Sequence, residues 1–163
     1  MDLAIRALHL IAAAVWAGGL VMLGVIAAST RQALDERARI ALFRVIGRRF
    51  LVLSLLTAIL IGATGVDMAV DRLPSWGALT DTSFGRLLLA KTALFAAALA
   101  LGFLHGLVLG PRTRRAREAL LEQPDDPELA ARLRSAKRIG AIVQVSILIL
   151  TLAVLVLAAD LVA

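Results

Sequence analysis

LAIRALHLIAAAVWAGGLVMLGVIAA, residues 3–28, runs for twenty-six residues with only Arg6 and His9 interrupting it. A helix of about 20 mostly apolar residues is enough to cross the hydrocarbon core of a bilayer. Three further stretches meet that requirement, at 50–70, 86–109 and 139–159. The chain is 60% hydrophobic over 163 residues, against roughly half for a soluble domain. The expected fold is therefore all-α: one transmembrane domain over 1–163, a polytopic membrane four-helix bundle in contact with lipid along its whole outer face. The first stretch differs from a secretory signal, being too long, opening on Asp2 where a basic cluster belongs, and showing no convincing cleavage site. It is expected to stay as a helix.

The net charge of +6 in a soluble chain would suggest nucleic acid, but here the charges are sorted by membrane side. Six arginines (Arg31, Arg37, Arg39, Arg44, Arg48 and Arg49) lie between the first two spans. Eight basic residues (Arg112, Arg114, Arg115, Arg117, Arg132, Arg134, Lys137 and Arg138) lie between the last two. The opposite side has Arg6, Arg72 and Arg86 near helix ends and Lys91 deeper. The positive-inside rule then places both termini outside the cytoplasm. This topology accounts for the basic balance without a nucleic-acid partner.

The third connection, 110–138, reads as a cytoplasmic helical hairpin. Arg112 to Glu122 continues as a charged helix, Gln123-Pro124-Asp125-Asp126-Pro127 breaks it, and Asp126 with Pro127 is an N-cap followed by the first helical position. A solvated surface that fixes topology is the leading reading of this loop, ahead of a partner-binding or anionic-lipid surface.

Chemistry has few carriers. No cysteine is present, which excludes disulfides, thiolate metal sites and cysteine nucleophiles. Walker loops, Gly-x-Ser-x-Gly and His-Glu-x-x-His are all missing, so nucleotide and hydrolase readings fall away. Inside the apolar runs lie both histidines of the chain, His9 and His105, and Lys91, and ionisable groups in a membrane interior are functional candidates because their burial is costly. His9 and Trp16 are seven apart, with Ala12, Ala13 and Gly19 leaving room beside them. Lys91, Ala98 and His105 also repeat by seven, on the face that carries Gly102, Gly106 and Gly110. That small-residue stripe points to close packing within the bundle, with a homodimer or a larger membrane complex as the other use of the same surface.

Depth sorts these residues further. At about 1.5 Å per residue, His9 and Lys91 sit at a matching level near the outer leaflet, joined by Asp67, Met68 and Asp160. His105 lies about 21 Å farther along the axis than Lys91, so one haem cannot be clamped between the two histidines. An outer polar cluster of His9, Asp67, Lys91 and Met68 is expected. Imidazole is a common metal and haem ligand, which favours His9 as a ligand. For Lys91, function and a structural ion pair with Asp67 stand level, and for His105 an interfacial hydrogen bond ranks ahead of ligation.

Two segments carry a family resemblance across nearly the whole chain. Leu8-His9-Leu10-Ile11-Ala12-Ala13-Ala14-Val15-Trp16-Ala17-Gly18-Gly19-Leu20, followed by Thr82-Ser83-Phe84-Gly85-Arg86-Leu87-Leu88-Leu89-Ala90-Lys91, resembles the membrane domain of copper resistance protein D (CopD). The resemblance implies copper handling at the bacterial cytoplasmic (inner) membrane, with a periplasmic copper donor as partner. In this reading His9 supplies a nitrogen ligand for the copper ion, Asp67 or Met68 completes the set, His105 is a further metal candidate, and Lys91 tunes local charge. A lone four-helix unit without a methionine-rich or histidine-rich stretch departs from the larger members of that family. A fainter likeness is to HemJ-type protoporphyrinogen oxidases, which implies bound haem b and electron transfer to a quinone. There His9 is the axial ligand, Lys91 the second ligand or a propionate partner, and Trp16 lines the pocket. A third reading is a non-catalytic accessory subunit.

Overall fold

The computed structural model describes residues 2–160, the Asp160 side chain excepted, and is all-helical over them. The order is α1 (Leu3–Ala33), α2 (Glu36–Arg72), a single turn α3 (Ala78–Asp81), α4 (Ser83–Leu104), a π-helical segment (His105–Leu109), α5 (Gly110–Glu122) and α6 (Pro127–Asp160). Four helices are long and apolar enough to cross a membrane, with α4, the π segment and α5 forming one of them. The exposed side chains of these spans are themselves apolar, as at Leu10, Ile59, Ile149 and Val156. That inverts the surface of a soluble protein and suits a lipid solvent.

Each apolar run is embedded in a longer helix. The first connection shrinks to Leu34 and Asp35, because Asp35 caps α2 by accepting from Ala38 N at 2.8 Å. Residues 36–49 are too charged to register as a span, yet they stay helical because one face is packed. Ile40 is buried there, as is Leu133 on α6. Arg44 reaches Glu118 of α5 at 2.8 Å, and Arg117 reaches Glu36 at 3.3 Å. The result is a helical cap of α2, α5 and α6 above one end of the bundle. Asp126 Oδ1 accepts from Glu128 N and Leu129 N as α6 begins at Pro127.

Helix α1 packs on α2 and α4 packs on α6. The two pairs meet in a core of Trp16, Leu20 and Ile147, surrounded by Phe50, Ile61, Phe95 and Val143. Trp16 stands edge-on to Phe95 with centroids 5.8 Å apart. Lipid is as apolar as leucine, so close packing, rather than water exclusion, holds such pairs together. Two glycines make the packing achievable. A Cβ on Gly19 would lie 2.6 Å from the Phe50 ring. One on Gly85 would run into the Ala78 carbonyl and Leu79 backbone, where α3 presses on the first turn of α4.

The small-residue stripe is used only in part. Ala98 is 1% exposed, and Gly106 faces Leu51 of α2, but a Cβ on Gly102 would meet nothing within 4 Å. From His105 the chain widens into the π segment, which the Gly110 N–H bond to His105 C=O closes. Pro111 lies next in the chain. It has no N–H for the Leu107 carbonyl and its ring crowds that carbonyl, so a wider turn just upstream relieves the clash.

Candidate metal centre

His9 sits two turns into α1, about 9 Å along the axis from Leu3. Its ring lies against the C-terminal half of α2, where a Cβ on Gly65 would stand 3.6 Å from His9 Cε1. The absence of a side chain at Gly65 lets the imidazole approach the neighbouring helix. There His9 Nδ1 and Thr64 Oγ1 are 2.8 Å apart.

The direction of that hydrogen bond follows from Thr64. Its hydroxyl donates to Leu60 C=O at 2.6 Å, a back-bond to the residue four earlier. A hydroxyl has one proton, so while Thr64 directs it to the shorter Leu60 bond, its oxygen accepts from His9 Nδ1–H. In a neutral imidazole the lone pair is then on Nε2. Thr64 thus orients the His9 ring and selects its tautomer, as the outer hydrogen-bond partners of ligand histidines do. Nothing in the apolar pattern singles Thr64 out. The available signal is a line of hydroxyls, Ser54, Thr57 and Thr64, all buried, on a helix otherwise rich in leucine and isoleucine.

Met68 lies one turn beyond Thr64 on α2 and is partly buried. At i, i+4 spacing their Cβ atoms are about 6 Å apart, which puts Met68 on the same face of α2 as Thr64. Asp67 is on the same turn but exposed. Lys91 of α4 is partly buried and lies within electrostatic reach of both His9 and Arg72. Of the two readings of Lys91 that stand level in the sequence, the ion pair with Asp67 does not form. The bundle pairs α2 with α1 and α4 with α6, so equal depth does not turn these two side chains toward each other. Asp160 has its side chain outside the described residues.

Trp16 is 6% exposed and belongs to the apolar core, two turns below His9, with its Nε1 lacking a hydrogen-bond partner. His105 is at the other end of the bundle. It opens the π segment, its ring faces Gly140 of α6, and its Nδ1 is buried without a partner. Gly65, beside His9, and Leu51, beside the Gly106 that follows His105, are fourteen residues apart on α2, about 21 Å. One ion therefore cannot bridge the two histidines. Among the described residues, no three His, Asp or Glu side chains gather into a ready-made metal cage. What this end of the bundle offers is an imidazole held by Thr64 and, one turn along α2, a thioether, donor types that suit Cu(I) over harder cations.

A family model described as copper resistance protein D matches residues 44–159. The match begins within α2 and takes in Thr64, Met68, Lys91 and His105, while α1 with His9 precedes it. No curated protein and no solved structure matches the chain.

Proposed function

The chain belongs to the copper resistance protein D family, and from that membership we propose that it passes copper across or into the bacterial cytoplasmic membrane through its outer end. His9 Nε2 is the first ligand and Met68 the second. The ion is cargo, held briefly as Cu(I). Both termini and this end of the bundle face the periplasm, where a copper donor delivers the ion.

The observation that carries the reading is the His9–Thr64 hydrogen bond, because it leaves a lone pair on Nε2 and fixes the ring that bears it. Thr64 returns its own proton to Leu60, so the pair is complete without water. Lys91 supplies a positive charge within electrostatic reach of His9. A cation at Nε2 is destabilised by that charge, which favours release over storage. Asp67, exposed on the same turn, is placed to attract the incoming ion.

Copper content and absorption spectra of detergent-purified wild type and His9→Ala test this. Stoichiometric copper after loading with Cu(I), lost in His9→Ala, is the expected result. A Soret band that disappears in His9→Ala would replace copper cargo with bound haem b, and the absence of both signals would leave a subunit that only packs into a larger complex.

A further inference from the structure

The charged end of the bundle carries fourteen Lys and Arg against seven Asp and Glu, and the other end four against five. Three of these seven carboxylates hold the ion pairs at the charged end. Glu36 pairs with Arg39 and Arg117, Glu118 with Arg44 and Arg114, and Glu128 with Arg132. Arg112 has no ion-pair partner among the described residues.

A groove of about 260 Å³ lies between α5 and α6 at this end. Arg112, Thr113, Arg132 and Ser135 line it above Leu109 and Ile139. Leu109 ends the apolar run 86–109 and Ile139 begins the run 139–159. The groove therefore straddles the boundary between hydrocarbon and headgroups. The Thr113 hydroxyl donates to Leu109 C=O at 2.9 Å, whereas the Ser135 hydroxyl has no protein partner among the described residues and is free to donate. The Arg132–Glu128 pair is 68% and 73% exposed. Such a pair is worth little, and Arg132 exchanges it for a stronger bidentate partner at small cost.

Two guanidinium forks and a free hydroxyl over an apolar floor match a phosphodiester attached to acyl chains. We propose that this groove binds the headgroup phosphate of an anionic phospholipid, with an acyl chain lying along Ile139 and Ile142. Ile142 is 58% exposed and one turn deeper on α6, which continues the floor into the lipid-facing surface. A free phosphate would use the arginines but not this apolar track. The site is independent of the copper reading, since it uses none of the same residues.

The test is native mass spectrometry of the full chain extracted from equimolar phosphatidylglycerol and phosphatidylcholine vesicles, counting retained lipid. Wild type is expected to retain phosphatidylglycerol selectively. Arg112→Gln with Arg132→Gln should reduce that selectivity about tenfold, while Arg48→Gln with Arg49→Gln, the same loss of charge off the groove, should change it less than about twofold. Excess inorganic phosphate should not displace the lipid. Equal losses in the two double variants, no selectivity in wild type, or displacement by phosphate would each overturn the proposal. Circular dichroism checks that each variant is folded, and Arg112→Glu alone replaces the first double variant if that one fails the check.

Discussion

His9 Nδ1 lies 2.8 Å from Thr64 Oγ1 across the α1–α2 interface, and Thr64 has already given its proton to Leu60. The contact orients the imidazole with Nε2 as the free nitrogen. Thr64→Val keeps the volume but removes the acceptor, leaving Nδ1–H unpartnered in the bundle. Copper affinity, read by competition with a Cu(I) chelator, should fall about 10- to 100-fold. Thr64→Ser keeps the acceptor and should stay close to wild type. Equal affinities in wild type and Thr64→Val would remove Thr64 from the account.

Lys91 should act in the opposite direction. If its charge opposes a cation near His9, Lys91→Gln tightens copper binding in the same competition assay, by about 1 kcal/mol or roughly fivefold. Weaker binding in that variant would make Lys91 a ligand or an anchor.

Two glycines on one helix should answer differently to the same methyl group. Gly85→Ala forces the new Cβ into the α3 backbone and should cost about 1–3 kcal/mol by overpacking. Gly102→Ala meets nothing within 4 Å, and the helix propensity of alanine should leave stability unchanged or raised by up to about 1 kcal/mol. Thermal unfolding in detergent compares the two, and a Gly102→Ala protein that melts lower would indicate a neighbour packed on that face.

The chain has no cysteine, so a single introduced thiol reports its own side of the membrane. Ser75 and Gln123 are both exposed, at opposite ends. In intact cells, a membrane-impermeant maleimide should label Ser75→Cys and spare Gln123→Cys until the membrane is opened. The reverse pattern would invert the topology and put His9 on the cytoplasmic side.

Much of this architecture is legible in the sequence because two of its signals are strong. Apolar runs of span length mark the four helices, and counting at about 1.5 Å per residue puts His9 and Lys91 at one level and His105 at another. Depth, however, carries no information on rotation or on which helices pair. That is why Asp67 and Lys91, level in a linear count, do not meet, and why Trp16, in register with His9, belongs to the core. Residues 36–49 were hidden for a different reason. Their charges erase the hydropathy signal, while their helix is held by Ile40 and by pairs such as Arg44–Glu118 that join segments distant in sequence. Thr64 resembles any back-bonded helix hydroxyl until the partner across the interface is known. The Phe84-Gly85-Arg86 segment enters the sequence reading only as part of a family resemblance, and the need for a glycine there, contact with α3, is visible only in three dimensions.

The central claim is that His9 binds Cu(I) through Nε2 while Nδ1 stays protonated toward Thr64. With only two histidines in the chain, ¹⁵N NMR of histidine-labelled protein reduces to four ring nitrogens, and His105→Gln leaves two. Adding Cu(I) to that variant should shift the His9 Nε2 resonance and leave Nδ1 carrying its proton. An unchanged spectrum, or a shift of Nδ1 with loss of its proton, would contradict the account.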